Sequence, residues 1–394
     1  MQILGSVNGK DRTRRRFLKT GSIGAGAVIG TTLLSGRLAA LPGDNGPLNT
    51  GDIAILTFLS ALEQVEADLW IQYAELGGAT TQGATSSPID LPFRTGLAPN
   101  YITALEVLDG DMPQYISDNT DDEIGHHRFL NNYLASKGAT PIDLGPFAIL
   151  PPSQVTGVPK KRRLTNLKQL TVDTTWWTRY RSATANPDFG GKFENAVPDL
   201  ANGQHPAIPV SDADCVLNRD GSIPNHLQAI ANTAGFHFAF IEQGGSSLYA
   251  AMAQKASSLE VLRILLSIGG SEIMHFQTWH DKAGNAPNIT DGALTFPNLN
   301  SAVDPNNPAM TGPAIADEFQ TNLIMPEPTV FLDQKLGPVA IIRPTSDQQG
   351  GAVASVVSFA NDGLFLDPAT GKNTGIVDVL MALAEAADAA QRTT

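Results

Sequence analysis

Glu123-Ile124-Gly125-His126 and Glu272-Ile273-Met274-His275 are two matched quartets in one chain. In each, a glutamate precedes a histidine by three positions. Residues three apart share one face of an α-helix, so each quartet aims a carboxylate and an imidazole the same way. One such quartet is common and carries little information. A pair of them asks whether two further helices bring inward glutamates to the same place.

Two other stretches answer that question. Leu62-Glu63-Gln64-Val65-Glu66-Ala67-Asp68-Leu69-Trp70 and Ile241-Glu242-Gln243-Gly244-Gly245-Ser246-Ser247-Leu248-Tyr249 align without a gap. Each has an apolar residue, then Glu-Gln, then a Leu-aromatic pair with the aromatic seven positions after the glutamate. The chain therefore reads as two helix pairs, each of the form Glu…Glu-Ile-x-His. The repeat chooses between neighbours: it favours Glu63 over Glu66, although Tyr73 stands seven after Glu66, and His126 over His127. Glu66 is then a surface acid or a carboxylate behind the ligands. Asp122 either orients an imidazole or is a solvated acid of a first helical turn. His237 and His280 read as packing or surface residues.

The chemistry of such a set is that of a two-metal site. Unpaired glutamates inside a helical core cost several kcal/mol each as an order of magnitude, so four at matched inward positions call for cations. Four carboxylates offset the charge of two divalent ions, and one imidazole per ion adds an oriented nitrogen. Open coordination positions give redox or hydrolytic reactivity. The single cysteine, Cys215, rules out an intrachain disulfide and a thiolate cluster within one chain.

The formal net charge is −13. The first 40 residues are basic, with Lys10, Arg12, Arg14, Arg15, Arg16, Lys19 and Arg37 against Asp11, so the remainder is more acidic still. That balance argues against nucleic acid as a partner. Thr13-Arg14-Arg15-Arg16-Phe17-Leu18-Lys19 precedes a Gly/Ala-rich apolar run from Gly21 to Leu34, with small residues at Ala39 and Ala40. This is the plan of a signal peptide over residues 1–40, and the consecutive arginines resemble the twin-arginine type. The expected address is periplasmic or extracellular. The apolar run is too short for a comfortable span, so no membrane segment is expected after cleavage.

Residues 41–50 form a turn-rich linker. Apolar residues at Ile55, Leu59, Leu62, Val65, Leu69 and Tyr73 predict a helix over about Thr50 to Gly77. A helical stretch follows near 99–110, which Met112-Pro113 is expected to interrupt. Asn119 or Thr120 is expected to cap the helix carrying the first quartet, which ends at about Ser136 before Lys137-Gly138. Residues 139–222 lose helical periodicity and read as a long insertion. Its basic run, Lys160-Lys161-Arg162-Arg163, is expected in a solvated loop, and Trp176-Trp177 is expected to pack the insertion onto the helices. Two long helices return over about Pro224 to Lys255 and Ser258 to Ala283. Beyond them, residues 285–394 form an extension. Short strands are expected at Val330-Phe331-Leu332 and Val339-Ala340-Ile341-Ile342, with a last helix from about Gly375 to Gln391. This extension caps the helices or joins copies in a homo-oligomer.

The four helical motifs resemble the ferritin-like superfamily of dimetal carboxylate proteins. Leu62-Glu63-Gln64-Val65-Glu66-Ala67, Asp122-Glu123-Ile124-Gly125-His126 and Phe238-Ala239-Phe240-Ile241-Glu242 resemble more narrowly its exported members, including those termed desiccation-related. The resemblance covers the four helices and neither the insertion nor the extension. It implies an all-α core, a ferritin-like four-helix bundle over residues 51–284. It also implies two iron or manganese ions held by Glu63, Glu123, His126, Glu242, Glu272 and His275. Redox chemistry on oxygen or peroxide, ferroxidase-like or catalase-like, in stress protection would follow. Trp70 and Tyr249 fall where aromatics adjoin such sites, Trp70 departing from the tyrosine more frequent there. The competing expectation is a non-catalytic scaffold or stress-related binding protein of the cell envelope.

Overall fold

The computed structural model describes residues 46–80, 93–299, 324–343 and 351–393. The signal-like segment, the first half of the linker and part of the loop after the first helix lie outside these.

The first helix, α1 (Thr50–Gly77), begins where expected. Asn49 caps it, its Oδ1 accepting from Asp52 N at 2.7 Å and satisfying one of the orphan amides of the first turn. A short helix, α2 (Pro99–Leu105), leads to α3 (Met112–Ser136). Here the expectation fails. Met112-Pro113 does not interrupt a helix; it starts one, because proline is tolerated in the first turn, where its missing N–H has no partner to lose. Asn119 and Thr120 therefore lie inside α3 and cap nothing. Gly138, at φ +78°, ends α3 in the left-handed region.

Between Ser136 and Asn225 the chain is mostly irregular, with one helix of two turns, α4 (Thr175–Arg181). It is nevertheless held along one stripe of α1. Gln64 receives Leu144 N and donates to Ile142 O, both at 3.0 Å. Asp68 Oδ2 accepts from Leu164 N, Thr165 N and Thr165 Oγ1 at 2.7–3.0 Å. Gln72 donates to Thr165 Oγ1 at 2.8 Å, and buried Glu75 pairs with buried Arg163. These four positions are three or four apart, so they lie on one face of α1. Arg163 is thus not part of a solvated run: Glu75 needs a cation at its buried position, and Arg163 supplies it, while Lys160, Lys161 and Arg162 stay exposed. Trp176 does pack the insertion inward, its ring 6.0 Å from Phe236 and 5.8 Å from Phe276.

Two long helices follow, α5 (Asn225–Lys255) and α6 (Leu259–Ala283), joined by a connection too short for anything but a hairpin. Ser258 caps α6, accepting from Glu260 N and Val261 N. Asp52 of α1 accepts from Ser257 N and Ser258 N, each at 2.9 Å, so the start of α1 holds the α5–α6 turn. The helices pack chiefly as two pairs, α1 with α3 and α5 with α6.

The extension is more regular than its sequence suggests. β1 (Ile289–Asp291) and β2 (Leu294–Phe296) form a hairpin closed by Gly292-Ala293, with Gly292 at φ +61°. β3 (Thr329–Val330) pairs with β4 (Pro338–Val339), shorter than the expected strands. Helix α7 (Ala352–Asn361) was not expected at all. After a small hairpin, β5 (Leu366–Asp367) with β6 (Lys372–Asn373), α8 (Ile376–Asp388) packs on α1 and α7. Asp388 accepts from Ala352 N and Val353 N at 3.0 and 2.9 Å, capping α7 from α8. No helix of the described residues is long and apolar enough to cross a membrane.

Candidate metal centre

The four long helices bring all six expected residues to one buried place. Two groups of potential ligand atoms lie within 4.8 Å of one another: Glu63, Glu123, His126 and Glu272, and Glu123, Glu242, Glu272 and His275. Each group has one glutamate and one histidine of its own, and both share Glu123 and Glu272. All four glutamates are at most 1% exposed.

The histidines point the same ring nitrogen inward. His126 Nδ1 lies 3.3 Å from Glu63 Oε2, 3.1 Å from Glu123 Oε2 and 3.3 Å from Glu272 Oε1. His275 Nδ1 lies 3.1 Å from Glu123 Oε1 and 3.2 Å from Glu242 Oε2. Their outward nitrogens are held too. His126 Nε2 is 3.1 Å from Ser271 Oγ, and His275 Nε2 is 3.0 Å from Asp122 Oδ2. A proton on each Nε2 satisfies those acceptors and leaves each Nδ1 lone pair facing the carboxylates, the arrangement a metal-binding imidazole needs. Asp122 therefore orients His275 while its own side chain stays largely in solvent.

Burial sets the protonation. It holds Glu63 up to about 7 against the pull of His126. Burial raises Glu272 and Glu66 further, reinforced by the surrounding carboxylates, and it also raises Glu242. Glu123 is the exception: burial pushes it up, yet His126 and His275 outweigh burial and hold it below the usual range. Burial in turn disfavours charged imidazoles, but the carboxylates raise both His126 and His275 well above the ordinary value. Without cations the cluster is thus a set of carboxyls and imidazoles that shift one another's proton affinity.

The site fits cations better than protons at several atoms. Glu63 Oε2 and both oxygens of Glu272 are buried without an aligned hydrogen bond among the described residues. A buried unsatisfied carboxylate oxygen is costly. Gly245 of α5 faces this gap: a Cβ there would collide with Glu272 Oε2. On α6, a Cβ at Gly269 would come within 2.8 Å of Tyr249 Cβ, so that glycine allows Tyr249 its close approach. Tyr249 Oη donates to Glu63 Oε1.

Residues that the sequence reading missed complete the other side. Asn119 Nδ2 donates to Glu123 Oε1 and to Glu242 Oε1, each at 2.9 Å, and its Oδ1 accepts from Trp279 Nε1 at 2.7 Å. Trp279 stacks on Trp70 with centroids 5.2 Å apart, and Phe238 lies against both. Trp70 is thus a wall of aromatic packing and not a hydrogen-bonding counterpart of Tyr249. The available signal for Asn119 was its place four before Glu123, one helical turn away. Glu66 is buried beside the cluster, not on the surface. His127 is half-buried, and burial lowers it to about 4. His237 is buried, its Nδ1 2.8 Å from Tyr73 Oη, and His280 is buried against the Trp176-Trp177 pair.

No protein-family model, curated protein or solved structure matches the chain.

Proposed function

We propose that this chain is an exported ferritin-like protein whose four long helices hold a dinuclear iron or manganese centre for redox chemistry on oxygen or peroxide. One observation carries the reading: two overlapping ligand groups, each with its own glutamate and histidine, share Glu123 and Glu272. Glu63, His126, Glu123 and Glu272 would hold one ion, and Glu242, His275, Glu123 and Glu272 the other. Four carboxylates match the charge of two divalent ions, and nitrogen–oxygen sets of this kind suit iron and manganese.

Such ions, when bound, would supply the electron steps that reduce oxygen or peroxide. The protein's part is positional and electrostatic. Asn119 fixes the oxygens of Glu123 and Glu242 that it contacts. Tyr249 fixes one oxygen of Glu63, and the second faces His126 Nδ1. Ser271 and Asp122 orient the imidazoles, and the Trp70–Trp279–Phe238 packing closes the inner wall to water. Glu66 remains as a buried acid beside the ligands, raised well above its ordinary value by burial and by the neighbouring carboxylates.

The test is to load purified protein with iron(II) or manganese(II) and to follow oxygen consumption and peroxide disproportionation beside a Glu123→Ala variant. Turnover by the loaded protein and its loss in the variant are expected. Two bound ions without reaction of either oxidant would overturn the redox assignment.

A further inference from the structure

A cavity of about 370 Å³ lies between α5, the end of α4 and the extension's α7 and α8. Its size falls within the range of small-molecule sites. A smaller hollow of about 10 Å³, room for roughly one water, adjoins Glu63, Glu66, Gly245 and Tyr249. Gly244, Leu248, Ser355 and Phe359 line both spaces. The larger cavity therefore borders a water-sized hollow, or neck, that lies beside Glu63 on the His126 side of the carboxylate cluster.

The cavity carries a cation that has no ion pair among the described residues. Arg179 of α4 is 6% exposed and lines the wall. Its Nη1 has no hydrogen-bond partner among the described residues, and Nη2 reaches only Thr175 Oγ1, at 3.4 Å. The other charges are engaged. Lys255 Nζ donates to Asp388 O at 2.7 Å and pairs with its Oδ1 at 3.3 Å. Asp173 Oδ1 holds Thr175 N at 2.8 Å. A buried guanidinium without an anion is costly, and its planar fork matches a carboxylate in two parallel bonds. Leu248, Ala251, Phe240 and Phe359 offer apolar wall for the rest of a ligand.

We infer that this cavity binds a small organic monocarboxylate, its anionic end on Arg179 and its apolar body along α5 and α7 toward the neck. The ligand would sit one water's width from the carboxylate cluster, placed as an organic substrate or effector of that centre. The carboxylate-binding inference does not need bound metal; only the role beside a redox centre rests on the proposed function.

Calorimetric titration of the full-length metal-free chain with hexanoate, hexanamide and hexylamine tests the inference. Hexanoate should bind at least tenfold tighter than either of the others. Arg179→Gln should weaken hexanoate at least tenfold and leave hexanamide unchanged, while Arg179→Lys should retain part of the preference. Ser355→Phe, on a different helix, should block all binding by filling the cavity. Equal affinities for hexanoate and hexanamide, equal hexanoate affinity in wild type and Arg179→Gln, or no binding of hexanoate at millimolar concentration would overturn it. Metal content measured on the same protein separates the two readings: hexanoate binding without metal uptake upholds the cavity and removes the redox centre.

Discussion

The two halves of the cluster are alike in ligands and unlike in surroundings. On the His275 side, Asn119 ties Glu123 to Glu242 and is itself held by Trp279, so the oxygens it contacts are matched and the wall behind is aromatic. On the His126 side, Glu63 Oε2 has no aligned hydrogen bond among the described residues, Glu66 adds a fifth buried acid, and the neck lies beside Tyr249. A duplicated motif supplied the symmetry. The residues around it, which the repeat does not copy, broke that symmetry into a rigid half and an accessible half. The accessible half is where exchange of ions and approach of an oxidant are expected.

The largest effect should come from the shared ligands. Glu123→Ala should reduce metal content from two ions per chain to none, whereas Glu63→Ala should leave the His275-side ion bound; elemental analysis reads both. Equal losses would mean that the halves are not separable. Next, Asn119→Leu should destabilise the metal-free protein by about 1–3 kcal/mol, since it strands the Trp279 N–H and two carboxylate oxygens; thermal unfolding measures it. Tyr249→Phe removes one hydrogen bond to Glu63 and should weaken only the His126-side ion, seen as one metal chelated faster than the other.

The dependence on pH has a defined sign. Glu63 has a folded value of about 7 against an ordinary 4.5, so the folded state binds more protons between those values. Stability of the metal-free protein should therefore fall as pH rises from about 4.5 to 7. The raised Glu66, Glu242 and Glu272 act in the same direction. The raised histidines stabilise most fully below their unfolded value and lose that contribution only as pH climbs through the folded one. Bound metal keeps the ligand carboxylates ionised, so it should flatten the slope; melting temperatures across this range, with and without manganese, check it. The smallest effect is that of Glu66→Gln, which removes a buried acid outside the ligand set. It should raise the metal-free melting temperature slightly and leave the metal count at two.

Much of this was legible in the sequence because it obeys local periodicity. The boundaries of α1, α3's end, α5 and α6 follow from helical spacing, Ser258 and glycine stops. The six clustered Glu and His residues follow from the repeat, which also separated His126 from His127. What could not be read depends on partners far along the chain. Asn119 resembles a cap until Glu242, on another helix, is seen to accept from it. Arg163 resembles the end of a solvated basic run until buried Glu75 is placed against it. Gln64, Asp68 and Gln72 formed a polar stripe on α1 that marked where the insertion docks, but the stripe does not name its partners. Two signals in the extension were local and went unused: Gly292-Ala293, a glycine-first two-residue turn between β1 and β2, and the apolar spacing of Val353, Val356 and Phe359 in α7.

Anomalous diffraction from crystals soaked in manganese(II) addresses the central claim most directly. Two peaks are expected between the four long helices, one among Glu63, Glu123, His126 and Glu272 and the other among Glu123, Glu242, Glu272 and His275. An ordered cluster with no peak, or manganese found only at surface carboxylates, would contradict it.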